Sequence, residues 1–112
     1  MVPGPSFIVP ISTANSQAVL VNESIGDADV LSIYSPATLP ETANLQVSPN
    51  YDPAAPSSAT WVDADSTNAP VGTAGQFKTI QTSYLVARAV RIHLNGNAAA
   101  ARTFITNKRM VI

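Results

Sequence analysis

Arg88–Leu94, RAVRIHL, sets the first limit on the fold: Val90, Ile92 and Leu94 fall on one side of an extended chain, and Ala89, Arg91 and His93 on the other. This period of two recurs along the chain, and a sustained 3.6 period does not. Leu31 and Ile33 alternate with Ser32 and Tyr34; Ala43, Leu45 and Val47 alternate with Asn44, Gln46 and Ser48. Shorter strand-like runs cover Phe7–Ile11, Gln17–Asn22, Thr60–Asp63 and Gln76–Thr82, and a last run covers Arg102–Ile112. Pro10 interrupts the first run, which therefore reads as an edge strand or an arm. In the last run both Phe104 and Ile105 are core candidates. About eight short strands at spacings of roughly 10 to 15 residues predict an antiparallel β-sandwich, jelly-roll or immunoglobulin-like.

The connections carry the turn residues such a fold needs. Gly26-Asp27 separates two runs, and Asn95-Gly96-Asn97 reads as a hairpin tip in preference to a helical turn over Ala98–Ala101. LQVSPNYDPAAPSSATWVDAD, Leu45–Asp65, reads as strand, long hairpin loop, strand, because neither flank could fold alone. The N-terminal MVPGPSFIVP carries Pro3, Pro5 and Pro10 and reads as an extended arm over residues 1–10, leaving 11–112 as one sandwich domain.

Composition narrows the function. Of 112 residues 46% are hydrophobic, enough for a core, while only 12% are charged, about half the usual share. Ser, Thr, Asn and Gln fill the polar quota, and such a surface can lie against protein without heavy desolvation of charge. A net charge of −1 gives no electrostatic basis for binding nucleic acid or an anionic membrane. No apolar run approaches the ~20 residues that span a bilayer, and the N-terminus lacks the pattern of a cleaved signal peptide. The absence of cysteine removes disulfides, thiolate nucleophiles and Cys-based zinc sites.

Catalytic readings are weak. His93, the single histidine, lies on the polar side of its strand with no second histidine or cysteine to share a metal, so it reads as a solvated or hydrogen-bonded strand residue. No serine sits in a G-x-S-x-G turn. Asp27-Ala28-Asp29 and Asp63-Ala64-Asp65 read as turn-capping pairs; the second lacks the glycine and glutamate of a calcium loop. Asn22-Glu23-Ser24 matches a glycosylation sequon without a secretory context. Gly72 and Gly75 look like a turn, not a phosphate loop. Trp61 reads as the core plug of the sandwich; the competing reading makes Trp61, Tyr51 and Tyr34 a sugar platform. No cofactor is expected, and an enzyme is the least favoured outcome.

Charge is sorted along the chain. Glu23, Asp27, Asp29, Glu41, Asp52, Asp63 and Asp65 all precede Lys78, Arg88, Arg91, Arg102, Lys108 and Arg109. Cross-strand pairing of early with late strands within one molecule explains this most simply. Pairing between neighbouring subunits is the alternative.

The order of the pieces PISTANSQAVLV, VLSIYSPATL, LQVSPNYDPAAPSSATWVDAD and ARAVRIHLNGNAAAARTFITNKRMVI resembles that of small tailed-bacteriophage virion structural proteins of the capsid decoration or cement type. The resemblance runs from about Ile11 to Val111. It departs at the Pro/Ala/Ser stretch between Tyr51 and Thr60, longer than the tight glycine turn expected there, which is either a surface projection or a subunit contact. The resemblance implies a β-sandwich on the capsid exterior that binds major capsid protein subunits. It also implies a homo-oligomer, with a trimer favoured, made in the host cytoplasm. A carbohydrate-binding or host-recognition accessory, or a neck or tail component, is the alternative. The expected contact residues are Phe7, Ile8 and Val9 in the arm, Arg88 and Arg91 in the late basic region, and Tyr51 and Trp61 beside the loop.

Overall fold

A computed structural model describes residues 2–21, 25, 30–64, 74, 75, 77–80 and 87–109. Among these residues nine strands are defined: β1 (Val2–Pro3), β2 (Phe7–Val9), β3 (Val19–Leu20), β4 (Val30–Tyr34), β5 (Ala43–Ser48), β6 (Val62–Asp63), β7 (Phe77–Ile80), β8 (Ala89–Leu94) and β9 (Arg102–Arg109). They form two antiparallel sheets. One has the order β1-β9-β4-β7, with β2 also on β9; the other has the order β3-β8-β5-β6. The all-β sandwich expected from the alternation is the fold observed.

The alternating apolar positions meet between the sheets. Phe7, Val9, Ile33 and Phe104 come from the first sheet, and Val19, Ala43, Leu45, Val90, Ile92 and Leu94 from the second. Val21, Ile25 and Ala98 close the ends from the connections. Phe7 and Phe104 face each other across the β2–β9 pair and are both fully buried.

Pairing follows one rule along the chain. β2 pairs with β9, β3 with β8, β4 with β7 and β5 with β6, each antiparallel and each nested inside the one before. The midpoints of Phe7↔Phe104, Val19↔Val90, Leu31↔Ile80 and Gln46↔Asp63 all fall within Ala54–Pro56. The molecule is thus a chain-long hairpin whose tip is the Pro/Ala/Ser loop. A second set of pairs, β4–β9 and β5–β8, wraps that hairpin into two sheets.

Several expectations are corrected. The segment 2–9 is docked along its own chain: Val2–Pro3 and Phe7–Val9 both pair with β9, so of the two readings of the first run the edge strand is the one observed. Between them Gly4 N donates to Thr106 O at 2.9 Å, and Thr106 Oγ1 donates to Pro5 O. The burial of Phe7 and Val9 supplies the reason, since an undocked arm would leave both apolar side chains in water. Asn95-Gly96-Asn97 is not a hairpin tip; it belongs to a crossover from β8 in one sheet to β9 in the other. That crossover is held by Asn95 N on Thr42 O at 3.0 Å and by Ala98 N on Thr13 O at 2.8 Å. Ile105 is 52% exposed because Phe104 takes the inward position next to it. Ser32 faces outward as expected but is buried, a small central-strand residue between Thr79 and Asn107 of its neighbours.

Candidate functional site

The outer face of the β3-β8-β5-β6 sheet gathers residues that lie far apart in sequence. Because Leu45 and Ile92 point inward, Gln46 and Arg91 point outward, and register sets Asp63, Gln46 and Arg91 in one row across β6, β5 and β8. The row is hydrogen-bonded throughout. Arg91 Nε donates to Gln46 Oε1 at 2.8 Å, and Gln46 Nε2 donates to Asp63 Oδ1 at 3.1 Å.

Trp61, just ahead of β6, lies beside this row. The Arg91 guanidinium carbon stands 4.4 Å from the indole centroid, within the range of a cation–π contact. Tyr51, at the other end of the loop, brings its ring to 5.9 Å from the indole at an interplanar angle of 53°. Arg88, leading into β8, donates from Nε to the Tyr51 carbonyl at 2.7 Å. Burial pushes the Arg91 pKa below the ordinary guanidinium value, and a group that starts so high remains a cation at neutral pH.

The loop that carries the two aromatics is built by its own polar groups. Asn50 Oδ1 accepts from Thr60 N at 2.9 Å and from Ser48 Oγ at 3.1 Å, closing the neck. Asp52 Oδ1 accepts from Ala54 N at 2.9 Å in an Asx turn, and a single 3₁₀ turn at Pro56–Ser58 follows. The tip, residues 52–58, is exposed. Its length therefore has a use: it spaces Tyr51 and Trp61 so that both return to the sheet surface beside Arg88 and Arg91.

Of the seven expected contact residues, four are brought together here: Tyr51, Trp61, Arg88 and Arg91. The other three are on β2 at the edge of the other sheet. Phe7 and Val9 are fully buried and cannot touch a partner while the strand is docked; Ile8 is exposed. Trp61 is half-buried on the outside and is not the core plug; Phe7 and Phe104 are the largest fully buried side chains. Tyr34 does not join Tyr51 and Trp61. It is 37% exposed on β4, in the opposite sheet.

Other sequence candidates resolve into structure. His93 Nδ1 lies 2.6 Å from Asn15 Oδ1, so the ring is tied to the β-bridge that joins Asn15 to it. The early-acid, late-base pairing is seen within the molecule at Arg102 and Glu41. Arg102 donates from Nε to Glu41 Oε1 at 2.9 Å and from Nη2 to Oε2 at 3.2 Å, and from Nη1 to Thr38 O at 3.3 Å. Sequence reasoning gave Arg102 and Gln46 no special role, because their partners are 61 and 45 residues away. Asp27, Asp29, Asp65 to Asn68, the sequon at Asn22 and Gly72 lie outside the described residues. Among the described residues no group of three His, Cys, Asp or Glu side chains could hold a metal, and no helix is long and apolar enough to cross a membrane. No protein-family model, curated protein or solved structure matches this chain.

Proposed function

We propose that this protein is a non-enzymatic structural component of a tailed-bacteriophage virion, a decoration or cement protein that binds the outside of the capsid shell. The observation that carries the reading is the nested strand order, β2-β9-β4-β7 facing β3-β8-β5-β6. We read a long hairpin wrapped into two sheets as a jelly-roll, a scaffold used by viral capsid proteins and by lectins. The composition supports the capsid branch, with few charges and many hydroxyl and amide side chains. So does the face formed by Trp61, Tyr51, Arg88 and Arg91, the residue types that dominate binding energy at protein interfaces. Repeated copies on a shell turn weak single contacts into firm retention.

The lectin branch has one point in its favour, the contact between Tyr51 and Trp61. Arg91 lies over the indole, however, and takes a face that a sugar ring would stack on. The docking surface is this sheet face, since the buried Phe7 and Val9 do not support an arm that reaches across a neighbour.

The test is cosedimentation with purified shells lacking the protein, together with its copy number in intact particles. Wild type should bind at a stoichiometry comparable with the shell subunits, and Trp61→Ala should lose binding with an unchanged circular-dichroism spectrum. A few copies at a single vertex would instead mark a neck or tail component. Binding of a glycan array by wild type and not by Trp61→Ala would favour the lectin reading.

A further inference from the structure

The chain treats its arginines in two ways. Arg102, 7% exposed, is matched to Glu41 by a pair of hydrogen bonds. Arg91 and Arg88 are not. Arg91 spends Nε on a neutral amide, Gln46, and its flat face on Trp61. Arg88 spends Nε on a neutral carbonyl, that of Tyr51. Among the described residues the only ion pair is Arg102 with Glu41. The one acid in the Arg91 row, Asp63, is engaged by Gln46.

Among the described residues each of the two guanidiniums is therefore anchored at Nε alone, and its Nη1/Nη2 end is left for another partner. That end presents two parallel N–H donors at the spacing of the two oxygens of a carboxylate. Anchoring removes most of the side-chain entropy that an arginine ordinarily loses on binding. Stacking on Trp61 strips part of the hydration from Arg91 without supplying a counter-ion.

We propose that Arg88 and Arg91, set on Tyr51 and Trp61, form a receptor for the carboxylates of an acidic segment on a partner protein. The inference rests on the reading of this face as the docking surface and names the chemistry of what docks. A protein segment is favoured over a small free anion because the arginines stand among half-buried aromatics on the outer face of a sheet, where a broad apolar contact can form around the charge.

Trp61 is the single tryptophan of the chain, so its fluorescence reads the site directly. The probe is a labelled hexaglutamate peptide, with hexaglutamine and glutarate beside it. Hexaglutamate should bind and change Trp61 emission, and hexaglutamine should do neither. By peptide anisotropy, Arg91→Gln and Arg88→Gln should each weaken binding about tenfold or more. Lys108→Gln, which removes the same charge from the opposite sheet, should leave binding within about twofold, as expected of a screened distant charge.

Failure of hexaglutamate to bind overturns the proposal, and so does an equal loss in Lys108→Gln, which would reduce the effect to net charge. Glutarate binding as tightly as the peptide, with the same dependence on Arg91, overturns the assignment to a protein segment. Cosedimentation with shells is read separately. Shell binding without a peptide response removes the carboxylate receptor and leaves the decoration reading intact. A peptide response without shell binding keeps the receptor and removes the shell as its partner.

Discussion

Replacing Glu41 with alanine leaves Arg102 as a cation with 9% of its side chain in water and no carboxylate partner. The pair ties the end of the β4–β5 connection to the start of β9, and Thr38 O is the only other acceptor that Arg102 has among the described residues. Breaking a buried pair from one side costs about 3–5 kcal/mol, mostly the desolvation of the charge left behind. Glu41 itself retains 11% exposure, so water can reach part of the vacated site and the lower end, about 3 kcal/mol, is expected. Replacing both partners with apolar residues of similar size, Glu41→Leu with Arg102→Met, should recover most of the loss and stay within about 1 kcal/mol of wild type. Denaturant unfolding of wild type, Glu41→Leu, Arg102→Met and the double variant gives the coupling energy, expected to be at least about 2 kcal/mol. If Glu41→Ala loses less than about 1 kcal/mol and the two changes add, the pair behaves as an exposed one and the account of Arg102 as a buried, matched charge is wrong.

Phe7→Ala should lose about 3–5 kcal/mol in the same assay, because a fully buried ring in the β2–β9 pair is replaced by a cavity. Deleting residues 2–9 should for the same reason give an unfolded or aggregating chain by circular dichroism and light scattering; a soluble, cooperatively folded product would show that the segment is dispensable. Gly75→Ala should cost about 1 kcal/mol, since φ is +69° there although no atom would meet the added methyl, while Gly96→Ala, with equally open surroundings, should change stability by less than about 0.5 kcal/mol.

The fold class was legible because alternation is a local property. Val90, Ile92 and Leu94 needed only their own strand to declare an inward face, and all three are in the core. The errors concern residues whose fate depends on a distant partner. The general burial of tryptophan predicts Trp61 in the core, but its place beside an edge strand and under Arg91 is fixed by β8, 30 residues on. Phe104 and Ile105 are adjacent and both apolar, and only the opposing Phe7 determines which of them points inward. The three prolines of residues 1–10 predict an extended chain, which an arm and an edge strand share. That is the conformation an edge strand requires, and it says nothing about whether β9 is alongside.

The Pro/Ala/Ser loop between Tyr51 and Thr60 is longer than the tight glycine turn that the resemblance implies there. On the scale of the whole chain it is the point of symmetry: the midpoints of four successive strand pairs fall on Ala54–Pro56. A nested hairpin makes each pair shorten the loop that the next must close, so zipping outward from β5–β6 keeps every closure entropically small. The sorting of charge follows from the same geometry. With the tip near Ala54–Pro56, five of the seven acids precede the tip and Asp63 and Asp65 follow it, all bases lie in the returning half, and the wrap then sets Glu41 beside Arg102. A loop at that position has two tasks, to reverse the chain and to return Tyr51 and Trp61 to the sheet. The Asn50 hydrogen bonds at its neck and the Asp52 turn at its tip accomplish both.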